Sequence, residues 1–256
     1  VHEAGAIEFG GHKVLTVSHV QGKLTPEALT ALLTAFRADD NRAHMVRPGM
    51  VYISHPTEYG TLYSKAELTA LSKICREFGI PLYLDGARLA YALATPENDV
   101  TLADLSALTD AFYIGGTKCG CLFGEALVFP KKGTIPHFYT LIKTHGAMLA
   151  KGRLPGVQFD ALFTDGLYER IGIPALHSAD RIRKALAAKG IPMPIPSPTN
   201  QVFFVLDRER IERLKEHVEY GFMEPLDEGR SLIRFAPSWA TADEETDARV
   251  RVIEQL

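Results

Sequence analysis

The feature that most constrains this chain is an alternation of segment types between residues 25 and 114. Thr25, Pro26 and Glu27 read as an N-cap, a first-turn proline and an acid at the positive end of a helix running through Arg37. GMVYIS, residues 49–54, is a short apolar strand ending in the polar cluster His55, Pro56, Thr57, Glu58. Ser64 and Glu67 form a capping box, and Leu68, Leu71, Ile74 and Cys75 recur on one helical face until Gly79 ends it. Ile80 to Leu84 is a second strand closing on Asp85, and Ala111 to Ile114 is a third. Neighbouring parallel strands need crossovers of about this length, so the pattern predicts an α/β fold whose mainly parallel sheet is sandwiched by helices. Gly124 to Phe129 follows the third strand so closely that an antiparallel partner is expected.

The texture changes near residue 153. Helices are expected over roughly 156–171 and 175–189, then a proline-broken stretch (Pro192, Pro194, Pro196, Pro198) and a strand at Gln201–Leu206. A helix over Arg208–Tyr220, a strand at Ser231–Phe235 and a terminal helix capped by Thr241 with Glu244 complete the pattern. This divides the chain into residues 1–153, a large α/β domain, and 154–256, a smaller α+β domain. The opening residues look like the inside of a strand, and without an initial Met the chain reads as lacking an N-terminal portion.

With 46% of its 256 residues apolar, the chain can bury a substantial core, and a net charge of −3 provides no field for nucleic acid or an anionic membrane. No apolar run is long enough to span a bilayer, and the first residues lack signal-peptide character. Three cysteines, Cys75, Cys119 and Cys121, fit a reducing cytosol, and no metal site is expected. Small-molecule chemistry is the remaining class.

Ligands of open α/β sheets bind beyond the carboxyl ends of the strands. Three strands bring polar groups there: Ser54 to Glu58, Asp85 to Arg88, and Thr117 with Lys118. The glycines before Lys118 do not make a P-loop, which requires G-x-x-x-x-G-K followed by Ser or Thr. Nor is Gly10-Gly11-His12 a dinucleotide fingerprint.

Together the groups suit pyridoxal phosphate, which needs a lysine for a Schiff base and an acid to keep its pyridine nitrogen protonated. A charge pair about 4 Å apart at an effective dielectric near 20 is worth on the order of 4 kcal/mol. This is roughly three pKa units on the ring nitrogen. Gly115, Gly116 and Gly120 are read as letting the backbone approach the cofactor.

LYLDGARLAYAL at 82–93 and GGTKCG at 115–120 resemble the threonine aldolase and β-eliminating lyase group of fold-type-I pyridoxal phosphate enzymes, as do SPTNQVFF at 197–204 and LIRFAPSWAT at 232–241. The resemblance implies an aspartate aminotransferase-like large domain. It assigns Asp85 to the pyridine nitrogen, Lys118 to the covalent link, and Arg88 and Arg234 to the substrate carboxylate, which suits a two-pronged arginine fork. Thr117, Lys151 and Arg153 are candidates for the phosphate, and His55 and Glu58 for the substrate hydroxyl. It further implies a homodimer or homotetramer, and a phosphate loop and ring-stacking histidine lying before Val1; His2 does not have that histidine's spacing. The expected reaction is retro-aldol cleavage of a β-hydroxy-α-amino acid to glycine and an aldehyde. β-Elimination or transamination through the same Schiff base is the alternative, and a non-catalytic α/β binding module the rival of another class.

Overall fold

The computed structural model describes residues 3–256; Val1 and His2 lie outside the described residues. Residues 3–5 are turns and Ala6–Phe9 is a single helical turn (α1), where a strand was expected. A small hairpin follows, β1 (His19–Val20) with β2 (Lys23–Leu24).

The caps read from the sequence place the next helices. Thr25 Oγ1 accepts from Ala28 N at 3.2 Å and starts α2 (Pro26–Ala38). After β3 (Val51–Ser54), the Ser64–Glu67 box starts α3 (Lys65–Phe78), and Gly79 ends it at φ +67°. β4 (Leu82–Gly86) leads to α4 (Leu89–Ala94), α5 (Leu102–Leu108), β5 (Ala111–Ile114) and β6 (Ala126–Val128). The sheet order is β3-β4-β5-β6, with the first three strands parallel and β6 antiparallel. A connection as short as residues 115–125, with no helix in it, returns beside its own strand rather than crossing over.

The architecture is α/β, with a mainly parallel sheet flanked by helices. Side chains alternate along its strands: Val51, Ile53, Leu82, Leu84, Phe112 and Ile114 enter a core with Leu33 of α2 and Leu68 and Leu71 of α3. The opposite face carries Tyr52, Tyr83, Asp85 and Tyr113, none of which is fully buried. The strands thus have two unlike sides, one aliphatic and buried, the other tyrosine-rich and only partly covered.

The second half contains α6 (Phe138–Thr144), α7 (Arg153–Phe163), α8 (Leu167–Arg170) and α9 (Ile173–Ala188). The helix expected over 156–171 is broken where Asp165 takes φ +51° and Gly166 φ +66°. β7 (Val202–Asp207), α10 (Arg208–Lys215), β8 (Gly221–Pro225) and β9 (Arg230–Phe235) form an antiparallel sheet of order β7-β9-β8, and α11 (Asp243–Gln255) closes the chain. β8 is absent from the sequence reading, because the helix expected to reach Tyr220 ends at Lys215. The terminal cap is displaced by one residue: Glu245 Oε2 accepts from Ala242 N at 3.1 Å, while Thr241 Oγ1 accepts from Ser238 N at 2.8 Å.

A second core gathers Ile182 and Leu186 of α9, Phe204, Leu214, Ile233 and Ile253. Leu162, Tyr168 and Ala175 belong to the first core and Ala179 to the second, so the two cores divide within α9. The loop after β3 fastens the halves together, since the Gly60 carbonyl accepts from Ser197 Oγ at 3.3 Å and from Thr199 Oγ1 at 3.2 Å.

Candidate active site

The parallel strands end side by side, with Ser54 opposite Asp85 and Asp85 opposite Tyr113. Asp85 therefore stands in the middle of the sheet edge. Its Oδ1 accepts from Ala87 N at 2.9 Å and its Oδ2 accepts from the Tyr52 hydroxyl. Burial, then the neighbouring Asp85 carboxylate, raises the pKa of Tyr52 and Tyr113, and burial pushes that of Tyr83 up to about 12. These phenols remain protonated at neutral pH, so Tyr52 can donate to the acid. Each carboxylate oxygen has two lone pairs, leaving Asp85 capacity for a further donor.

Lys118 lies on the turn that follows β5, with its side chain exposed. The turn is fixed from two sides. The buried Tyr91 of α4 donates its hydroxyl to the Lys118 carbonyl and accepts from Trp239 N at 3.3 Å, linking the turn to the segment after β9. Glu125, which the sequence reading passed over, accepts from Gly116 N and from Thr117 Oγ1, the latter at 2.6 Å. Thr117 is thus engaged by a carboxylate. The sequence signal for Glu125 was only a lone acid between Gly124 and an apolar strand.

The glycines of this turn also answer to the protein's own packing. A Cβ on Gly115 would lie 2.3 Å from the Ala87 carbonyl oxygen, and one on Gly120, at φ +115°, would lie 2.7 Å from Ile171 Cδ1. Neither position has room for a side chain without a shift of its neighbours. Cys119 is fully buried, with burial raising its thiol to about 12, so it is inert beside Lys118.

Arg88 and Arg234 come together although they are far apart in sequence. Arg88 precedes α4, Arg234 lies in β9, and both hold Glu58 in the loop after β3: Arg88 Nη1 to Glu58 Oε2 is 3.0 Å and Arg234 Nη1 to Glu58 Oε1 is 2.7 Å. Arg234 Nη1 also donates to Gln201 Oε1 at 2.7 Å. Burial raises the Glu58 pKa, but the two arginines outweigh it and the carboxyl is held below its ordinary value.

His55 does not join this group. It is fully buried, its Nδ1 accepts from Tyr63 N at 3.3 Å, and burial lowers its pKa to about 4. A neutral, enclosed imidazole packed under the loop does not meet the expectation of a contact to a substrate hydroxyl. Lys151 and Arg153 are exposed at the start of α7. That helix reaches the lysine turn through Gln158, whose Oε1 accepts from Leu122 N at 2.6 Å and whose Nε2 donates to Phe123 O at 3.1 Å. A cleft of about 320 Å³ lined by Lys23, Ser64, Glu97 and Pro196 among others includes none of Asp85, Arg88, Lys118 or Arg234. The chemistry-bearing groups are at the strand ends instead. Among the described residues no cluster of three or more potential metal ligands occurs, and no helix is long and apolar enough to cross a membrane.

Known proteins share this arrangement of sequence and fold. Residues 1–221 match the family model described as beta-eliminating lyase. The low specificity L-threonine aldolase of a Pseudomonas species is 33% identical across 97% of this chain and 70% of its own length. That of Pseudomonas aeruginosa is 31% identical across 93% of this chain and 68% of its own. The solved structure of Leishmania major threonine aldolase superposes with a TM-score of 0.93 at 43% identity, covering 99% of this chain and 73% of that one. The motifs around Asp85 and Lys118, the strand order and these matches agree, and the chain belongs to the β-eliminating lyase family, the pyridoxal phosphate-dependent lyases that include the threonine aldolases.

Proposed function

We propose that this protein cleaves a threonine-like β-hydroxy-α-amino acid to glycine and an aldehyde, using pyridoxal phosphate linked covalently to Lys118. The observation that carries the reading is the convergence of Arg88 and Arg234 on one carboxylate, beside the strand end that bears Asp85. The donor set suits the cofactor. Asp85 is a partly buried carboxylate held by Tyr52 and Ala87 N with acceptor capacity to spare, and Lys118 extends from the neighbouring strand's turn. Lys151 and Arg153, at the start of α7, are the cations of this chain proposed for its phosphate.

When bound, the cofactor supplies an electron sink for a bond to the substrate's α-carbon. The residues supply what surrounds that chemistry. Asp85 holds a proton on the ring nitrogen by charge pairing. Arg88 and Arg234 fix the α-carboxylate through paired hydrogen bonds, and this orientation selects which α-carbon bond is aligned for cleavage. Glu125 and Tyr91 keep the lysine turn in place by holding its backbone and the Thr117 hydroxyl. The reading includes a homo-oligomer, supported by apolar surface beside the lysine turn: Leu122 is 90% exposed, and Phe123 and Leu127 are exposed as well.

Incubation of the cofactor-loaded protein with L-threonine tests the reaction class. Equal amounts of glycine and acetaldehyde are expected. Ammonia with a 2-keto acid would instead assign β-elimination.

A further inference from the structure

Two guanidiniums brought to one point repel each other unless an anion lies between them, and here the protein provides that anion itself. The side chains of Arg88 and Arg234 are only 16% and 19% exposed, whereas Glu58 is 59% exposed. Glu58 therefore covers the arginines from the solvent side, which is the side an incoming carboxylate must use. Its two oxygens take one Nη1 donor from each arginine, an arrangement that a bound α-carboxylate could also adopt. The arginines keep it ionised at neutral pH.

We propose that Glu58 is a built-in occupant of the carboxylate subsite and sets its affinity and selectivity. With no amino acid bound, it holds Arg88 and Arg234 together against their repulsion. On binding, the α-carboxylate must displace it or share the same two cations at close range, and either course weakens binding relative to an arginine pair with no competitor. The inference rests on the reading of Arg88 and Arg234 as the substrate clamp, and adds a residue that works against them.

Gln is the informative replacement. It keeps the length of Glu58 and a carbonyl acceptor for one arginine, but removes the charge that competes with the ligand. Calorimetric titration of the cofactor-loaded protein with glycine, and with glycinamide as the analogue lacking a carboxylate, separates the contributions. For Glu58→Gln we expect glycine to bind roughly tenfold more tightly than to the wild type, the scale of one removed like-charge contact near a protein surface. Glycinamide affinity should change less than about twofold, since it has no carboxylate charge for Glu58 to oppose. Arg234→Gln serves as the control and should lose most of the preference for glycine over glycinamide. If Arg234→Gln behaves this way while Glu58→Gln binds glycine no better than wild type, the competitor role is wrong and the clamp stands. If Arg234→Gln keeps the wild-type preference, the clamp reading fails and the role of Glu58 falls with it. Because Glu58 is largely exposed, Glu58→Gln should fold normally, and its melting curve checks this.

Discussion

At the residue scale, the site depends on a few side chains held by specific hydrogen-bond partners. Asp85 accepts from Tyr52 and from Ala87 N, so Asp85→Asn keeps a similar shape but cannot balance a protonated ring nitrogen. We predict that this variant retains pyridoxal phosphate while its turnover falls by about a hundredfold or more, as expected if a nitrogen pKa raised by roughly three units is returned to its free value. Steady-state kinetics on the loaded variant checks this, and unchanged turnover would count against the assignment. For the buried His55 we predict an effect on stability. Its folded pKa, about 4, lies below the ordinary value of 6.5, so between these values the unfolded chain binds more protons and stability falls as the pH is lowered. The loss is confined to that window and is of order 3 kcal/mol. Urea unfolding from pH 7 to pH 4 should show it, and His55→Gln should lack this component; identical profiles would contradict it.

At the element scale, the lysine turn is possible because β4, β5 and β6 pack backbone against backbone at its base. Gly115 has no room for a side chain, its would-be Cβ lying 2.3 Å from Ala87 O. Gly115→Ala should therefore destabilise the protein by about 2 kcal/mol or more, in the range of overpacked sites, measurable as a lower urea midpoint; an unchanged midpoint would show that the base of the turn yields. Local signals made most of these elements legible. The caps at Thr25 and at Ser64 with Glu67 are short-range hydrogen bonds between residues three apart, and the structure makes both. Capping at Thr241 was misread because a hydroxyl and an acid at the same spacing occur one residue out of register, and Thr241 closes a turn onto Ser238 instead. β8 was hidden because it is an edge strand of Phe222, Met223 and Glu224 with little apolar alternation, paired through a bulge to β9. Asp85, Arg88 and Lys118 were readable as strand-end groups. Glu125, and the meeting of Glu58 with Arg234, depend on contacts across the fold that no local spacing reveals.

At the scale of the whole molecule, the candidate site is assembled from both cores. Arg234 comes from the antiparallel sheet, while Arg88, Asp85 and Lys118 come from the parallel one. Glu58 joins the two charges, the Gly60 carbonyl binds Ser197 and Thr199, and Tyr91 reaches from the lysine turn to Trp239. The texture change near residue 153 suggested a domain boundary there. We propose instead that the division falls within α9, whose first turns pack on one core and whose later turns pack on the other. The shared helix and the side-chain bridges tie the spacing between Arg234 and the Lys118 turn to how the two halves sit together. The most direct test of the account is borohydride reduction of the protein with pyridoxal phosphate, followed by peptide mass spectrometry. One pyridoxyl group on Lys118, absent in Lys118→Ala, is the predicted result; a group fixed on another lysine, or none on the reduced protein, would contradict the account.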